Sequence, residues 1–229
     1  MPFPFACRHT EYSTIASLDD DGAGPNERLL DISLQAIHAA RKIDLNWVSK
    51  RMAAPPFYPD VWPGEHYKLL AGLTEVLQPK VVVEVGTFQG ASALAIKGSL
   101  PKGSKLTTVD IKSWKEIPNT AFRASDFEDG SLQQVLGDLS DPAFFSSFSS
   151  VLSSCDLLFV DAPKNVIFEE TFLKLLEKIN LPTASIVVFD DIRQWNMLKI
   201  WREIKRPKMD LTSFGHWTGT GIIDWNGAR

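Results

Sequence analysis

Glu84-Val85-Gly86-Thr87-Phe88-Gln89-Gly90 sets a carboxylate and two glycines at a Glu-x-Gly-x-x-x-Gly spacing, directly after the β-branched run Val81-Val82-Val83. Glycines at such a point let the backbone turn tightly and approach a ligand closely. The spacing is not the Gly-x-Gly-x-x-Gly that holds a dinucleotide pyrophosphate, and alone it would serve equally as a packing turn. Asp110 closes the next apolar run, Leu106 to Val109. A carboxylate there can accept two hydrogen bonds from a ribose diol, so loop and acid together point to a nucleoside-type ligand. Gly137-Asp138, Asp161 and Asp190-Asp191 follow later runs. Asp161, Asp190 and Asp191 offer hard carboxylate oxygens, the donors that Mg2+ takes; helix capping or loop ordering is the alternative for each. His216 lies in the glycine-rich stretch 214–221 and can titrate near neutral pH, which makes it a candidate base. A structural hydrogen bond is its plainer role. Trp217 can stack on a sugar or ring. Trp62 and His66 are candidates for a facing wall, although a hydrophobic staple would explain Trp62 equally.

These residues matter together only if one scaffold brings them to one edge. Residues 1–25 read as an irregular arm. Asn26 can cap a helix in which Leu29, Leu30, Ile32, Leu34, Ile37 and Ala40 recur near helical spacing. A Pro- and aromatic-rich loop spans residues 54–63, and a second helix is expected over 64–77, with Pro79 just past it. Short apolar runs at 81–83, 106–109, 157–160 and 186–189, and a weaker one at 135–136, read as strands buried on both faces. Helical segments are expected over 92–97, 142–152, 168–179 and 194–204, the second started by Asp141-Pro142. Such alternation predicts a doubly wound, mostly parallel sheet. Residues 209–214 and 221–225 flank a turn and predict a closing antiparallel hairpin. Ligands of open parallel sheets bind outside the carboxyl ends of the strands, where the acids above fall.

Residues 82–92, Val-Val-Glu-Val-Gly-Thr-Phe-Gln-Gly-Ala-Ser, resemble the first cofactor motif of class I S-adenosylmethionine-dependent methyltransferases, in the catechol O-methyltransferase-like branch, and the likeness spans roughly 64–191. The resemblance implies a Rossmann-like seven-stranded fold with extra N-terminal helices. It divides the chain into residues 1–63 (arm, helix and substrate-side loop) and a methyltransferase domain, 64–229. It implies that Glu84 and the Gly86–Gly90 loop, with Thr87, border the methionine part of S-adenosylmethionine. Ser92 would hold the cofactor carboxylate at the helix start, where the helix dipole also favours it. Asp110 would bind the ribose, Asp138 would lie near the adenine, and Asp161 would also border the cofactor. Metal-dependent relatives use an Asp after the fourth strand and Asp-Asn after the fifth. Here Asp161 is followed by Asp190-Asp191, and macrocin-type sugar O-methyltransferases carry Asp-Asp at that place. Lys164 follows Asp161 at the Asp-x-x-Lys spacing whose Lys resembles a general base. A cation and partial burial would lower its pKa; a surface Lys at a helix start is the alternative. Lys164 is preferred over His216. The expected reaction is methylation of a sugar-like or phenolic hydroxyl.

The bulk numbers limit the other classes. The chain has 229 residues, 44% hydrophobic and 23% charged, with a formal net charge of -4. That gives no electrostatic case for nucleic acid or an anionic membrane. Lys199, Arg202, Lys205, Arg206 and Lys208 cluster late in the chain and read as a solvated helix face. Two cysteines, Cys7 and Cys155, suit a reducing cytoplasm. The opening residues lack a charged region followed by an apolar run, so no signal peptide is expected, and no stretch is long enough to span a bilayer. Homo-oligomerisation stays open. Three other readings remain: a metal-independent methyltransferase acting on oxygen or nitrogen, a nicotinamide oxidoreductase (disfavoured by the glycine spacing), and a non-catalytic cofactor-binding relative. Calorimetry with the cofactor separates the oxidoreductase; turnover with and without chelator separates the rest.

Overall fold

The computed structural model describes residues 23–52, 58–194 and 197–228. Most of the arm, with Cys7, and part of the 54–63 loop lie outside the described residues. Seven strands form one sheet: β1 (Val81–Val85), β2 (Lys105–Asp110), β3 (Leu132–Leu136), β4 (Leu157–Val160), β5 (Ile186–Asp190), β6 (Lys208–Asp210) and β7 (Thr220–Asp224). Their order is β3-β2-β1-β4-β5-β7-β6. The first five are parallel, and β7 inserts antiparallel between β5 and β6. The helices are α1 (Glu27–Ala40), α2 (Asn46–Ser49), α3 (Tyr67–Leu77), α4 (Ala91–Gly98), α5 (Pro142–Leu152), α6 (Ile167–Leu176) and α7 (Met197–Glu203).

The strand pleat sorts side chains to two faces. Val82, Leu106, Leu157, Phe159, Ile186 and Val188 pack with Leu29, Leu69, Leu73 and Leu94 of α1, α3 and α4. Val83, Val85, Val109, Leu158, Val160 and Phe189 pack with Phe145, Phe168, Phe172 and Trp201 of α5, α6 and α7. Helices thus cover both faces, which is what near-continuous apolar strands require. Local chemistry starts them where expected: the Asn26 side chain accepts from the Leu29 N–H at 2.9 Å. Asp141 accepts from Ala143 N–H at 2.7 Å, with Pro142 in the first turn.

Several expectations change. α3 starts at Tyr67, not Gly64, because the preceding backbone pairs with the closing hairpin: Gly64 N–H donates to Gly215 O at 3.1 Å, and Trp217 N–H to Gly64 O at 3.2 Å. Trp62 is held by that hairpin too, donating Nε1–H to Phe214 O at 2.8 Å. Residues 112–130 carry two short 3-10 turns, and Trp114, Phe122 and Phe127 pack there, with Trp114 and Phe127 stacked 5.2 Å apart. The basic cluster is not a solvated helix face. Lys208 is buried on β6 and donates from Nζ to the Trp201 carbonyl, Arg202 is buried, and Arg206 lies 4.0 Å over the Trp225 ring. Only Lys199 and Lys205 are exposed among the five. Cys155 is a buried free thiol, pushed up to about 12 by burial.

Candidate active site

The β1–α4 turn is forced into its path by close approach. Gly86 has φ 100°, and a Cβ there would stand 2.1 Å from the carbonyl oxygen of Asp161. Gly90 has φ 82° and faces the Phe122 ring. Asp110 braces the turn: its Oδ2 accepts from Thr87 N–H at 2.8 Å and Phe88 N–H at 3.2 Å, and its Oδ1 accepts from Lys112 N–H at 3.0 Å. A cavity of about 480 Å3 opens over this edge, bounded by Gly86, Phe88, Asp110, Asp138, Asp161 and Phe168. Asp138 Oδ1 accepts from the N–H and hydroxyl of Ser140, at 2.8 and 2.7 Å.

A second cavity, about 340 Å3, adjoins the first through Gly86, Phe88 and Asp161. Glu65, His66, Thr87, Ser92, Asp190, Asp191, His216 and Trp217 are on its wall. Both volumes suit small-molecule sites, which run roughly 300–1,000 Å3. Thr87 is buried, its hydroxyl 2.7 Å from that of Thr108. Glu84 lines neither cavity. It is fully buried beneath the turn, its oxygens lack hydrogen-bond partners, and burial pushes it up to about 7.

The second cavity ends on an ionic cluster. His216 Nδ1 lies 3.1 Å from Asp190 Oδ2 and 3.4 Å from Asp191 Oδ1, and its Nε2 lies 3.5 Å from Glu65 Oε2. Thr218 donates its hydroxyl to Asp191 Oδ1. His66 Nδ1 lies 3.4 Å from Asp190 Oδ1. Lys164 Nζ lies 2.8 Å from Asp161 Oδ1 and 3.4 Å from Asp191 Oδ2. Burial pushes the Asp190 carboxyl up, but His66 and His216 outweigh it and hold Asp190 well below the usual range. Burial pushes His216 down, and Asp190 and Asp191 overcome this and raise it to about 10. His66 is likewise raised, chiefly by Asp190 against its burial. Asp161 is raised by burial and by Asp190, with Lys164 opposing.

Burial lowers the pKa of Lys164, yet Asp161, Asp191 and Asp190 more than compensate, and the net shift is upward. Lys164 lines neither cavity, whereas His216 does. Glu65 was not singled out in the sequence. A Glu before a histidine carries no motif, and only its partner His216, far along the chain, reveals it.

A doubly wound sheet with a glycine turn after β1 and an acid closing β2 defines a class I S-adenosylmethionine-dependent methyltransferase. Residues 53–200 match the family model described as O-methyltransferase, and the chain belongs to that family. It is 21% identical over 177 residues to a probable caffeoyl-CoA O-methyltransferase 3 of Dictyostelium discoideum, covering 76% of this chain and 67% of that protein. Two solved structures share the fold. A Corynebacterium glutamicum protein matches at TM-score 0.53 and 15% identity, over 85% of this chain and 91% of the other. The S-adenosylhomocysteine-bound Podospora anserina methyltransferase PaMTH1 matches at TM-score 0.51 and 16% identity, over 86% and 88%.

Proposed function

We propose that this O-methyltransferase seats S-adenosylmethionine in the larger cavity and methylates a hydroxyl of a small molecule in the smaller one, with a divalent cation at the carboxylates ending β4 and β5. The observation that carries this reading is the junction: two cavities meet at Gly86, Phe88 and Asp161, and the second ends on buried carboxylates. The groups fit. Gly86 leaves no Cβ in the turn, and Asp110 is on the first cavity's wall for a ribose diol. Ser92 at the start of α4 and Thr87 face the second cavity, and Asp138 faces the first. Asp190 Oδ1 is buried without a hydrogen-bond partner, as an unused metal ligand would be.

Asp161, Asp190 and Asp191 would hold Mg2+ or a similar cation, which would supply polarisation of a hydroxyl and ease its ionisation. The cofactor would supply a sulfonium methyl: the acceptor oxygen would bond to that carbon as the carbon–sulfur bond breaks, its electron pair staying on sulfur, and S-adenosylhomocysteine would leave. In its neutral form, which Asp190 and Asp191 disfavour below about pH 10, His216 would take the hydroxyl proton at Nε2, since Nδ1 is engaged by Asp190 and Thr218. Lys164 is a positioning residue that holds Asp161 and Asp191 together. Exposed Phe88 and Trp217 at the rim suit a phenolic ring or a sugar face.

One observation favours a cation-free reading. His66, His216 and Lys164 can offset Asp161, Asp190 and Asp191 without metal. A panel of phenols and sugars, assayed for methyl transfer with and without EDTA, separates the two. The expected result is EDTA-sensitive turnover. Asp190→Asn should lower it at least about a hundred-fold while S-adenosylhomocysteine affinity stays within a few-fold. Full activity in EDTA for the wild type would leave the cation-free reading, and no methyl transfer with S-adenosylhomocysteine still bound would point to a binding protein.

A further inference from the structure

The carboxylates alone leave part of this cluster unexplained. His66 is 3% exposed, and neither of its ring nitrogens has a hydrogen-bond partner. Asp190 is 2% exposed, and its Oδ1 also lacks a hydrogen bond, its nearest charged neighbour being His66 Nδ1 at 3.4 Å. Buried orphans of this kind are rare in folded proteins and call for a ligand or ion. The His66 ring is also fixed in place. Tyr67, Phe159 and His216 surround it, with ring centroids 4.3, 5.2 and 5.3 Å away.

We propose that His66 is a nitrogen ligand of the cation, beside Asp161 and Asp190, and that this mixed set takes a first-row transition cation such as Mn2+ in preference to Mg2+. The inference rests on the cation-assisted reading above. One donor atom from each of His66, Asp161 and Asp190 lies within 4.8 Å of the others. Two metal–ligand bonds of about 2.2 Å span about 4.4 Å, so slight closure seats one ion among them. Lys164 holds Oδ1 of Asp161 and His216 holds Oδ2 of Asp190. Asp190 Oδ1 is thereby left on the His66 side, 3.4 Å from Nδ1.

Asp191, expected as the third ligand, falls outside this set. Its Oδ1 accepts from Thr218, and its Oδ2 faces Lys164. His216 is the rival nitrogen, since it groups with Asp190 and Asp191. Its Nδ1 already meets Asp190 Oδ2 and, at 2.8 Å, the Thr218 hydroxyl, whereas both His66 nitrogens are free of hydrogen bonds. Magnesium favours all-oxygen shells and dehydrates reluctantly, and imidazole suits iron, nickel and zinc; manganese, which also takes carboxylates, serves as the first-row cation whose nitrogen coupling can be read.

The test uses the full chain, freed of metal by dialysis, with Mn2+ or Mg2+ as the only added ligand. Calorimetry gives the two affinities, and pulsed electron paramagnetic resonance of bound Mn2+ reads nitrogen coupling directly. Mn2+ should bind at least ten-fold more tightly than Mg2+ and show a coupled 14N. That coupling should vanish in His66→Ala, with at least a ten-fold loss of Mn2+ affinity, and persist in His216→Ala. S-adenosylhomocysteine affinity within a few-fold of wild type certifies the fold of each variant. Should His66→Ala not fold, wild type labelled with 15N-histidine still decides whether a histidine is bound, and His216→Ala decides which one. Bound Mn2+ without nitrogen coupling, coupling that survives in His66→Ala, or Mg2+ binding as tightly would overturn the inference and leave an all-carboxylate cation site. Failure of both cations to bind would remove the cation-assisted reading as well.

Discussion

Trp62 donates its indole N–H to the carbonyl oxygen of Phe214 at 2.8 Å, across 152 residues of chain. Beside it, Gly64 and His216 form a parallel backbone bridge. The segment that carries Glu65 and His66 is therefore stitched to the loop that carries His216. The two imidazole rings meet edge to face, 5.3 Å apart, only because of that stitching.

Asp110 has two duties in this geometry. It braces the turn through Thr87 and Phe88, and it lines the larger cavity, proposed as the cofactor site. Asp110→Ala should weaken S-adenosylmethionine binding by on the order of 1–3 kcal/mol, the value of hydrogen bonds to a charged acceptor. Calorimetry with S-adenosylhomocysteine checks it. An unchanged dissociation constant would remove Asp110 from the cofactor site.

His216 gives the fold a defined pH response. Its folded pKa, about 10, exceeds the ordinary 6.5, so its stabilising effect is complete below pH 6.5 and fades as pH rises toward 10. Asp190 is held below its ordinary 3.8, so its share is present above that value and is lost in acid. In EDTA, His216→Ala should cost on the order of 1–3 kcal/mol near pH 5, by leaving a buried charge unpaired. The deficit should shrink steadily toward pH 10. Thermal melts of both proteins at pH 5, 7 and 9 would show it, and a deficit independent of pH would sink the assignment. With His216 as the base, wild-type turnover should climb about ten-fold per pH unit until pH approaches 10.

Two glycines with similar backbone angles separate strain from close approach. Gly86 and Gly103 have φ 100° and 87°, but a Cβ at Gly86 would meet the Asp161 carbonyl at 2.1 Å, while at Gly103 nothing lies within 4 Å. Gly103→Ala should cost about 1 kcal/mol from conformation alone. Gly86→Ala should cost about 1–3 kcal/mol more, because β1 and β4 must part. Urea unfolding measures both, and equal losses would mean that the strand ends do not need this contact.

Much of this was legible because it is local. The β-branched runs, the Asn26 and Asp141 caps and the acids after each strand depend on neighbours a few residues away. What escaped depends on distant partners. The start of α3 could not be placed, because Gly64 spends its backbone groups on residues 215 and 217. The burial of Lys208 requires Trp201 and the packing of β6, which no charge pattern encodes. The Asp161–Lys164 spacing was legible, but the ion pair of Lys164 with Asp191 was not, because that acid follows a different strand.

The antiparallel entry of β7 between β5 and β6 also orders events in time. A chain emerging from the ribosome completes Gly86, Asp110, Asp138 and Phe168 first, and with them most of the larger cavity's wall. His216 and β7 emerge after them. Until they do, β5 is an unpaired edge rich in Ile186, Val187, Val188 and Phe189, the kind of edge that recruits foreign strands. The hairpin that completes the wall of the second cavity is thus the same element that covers this edge.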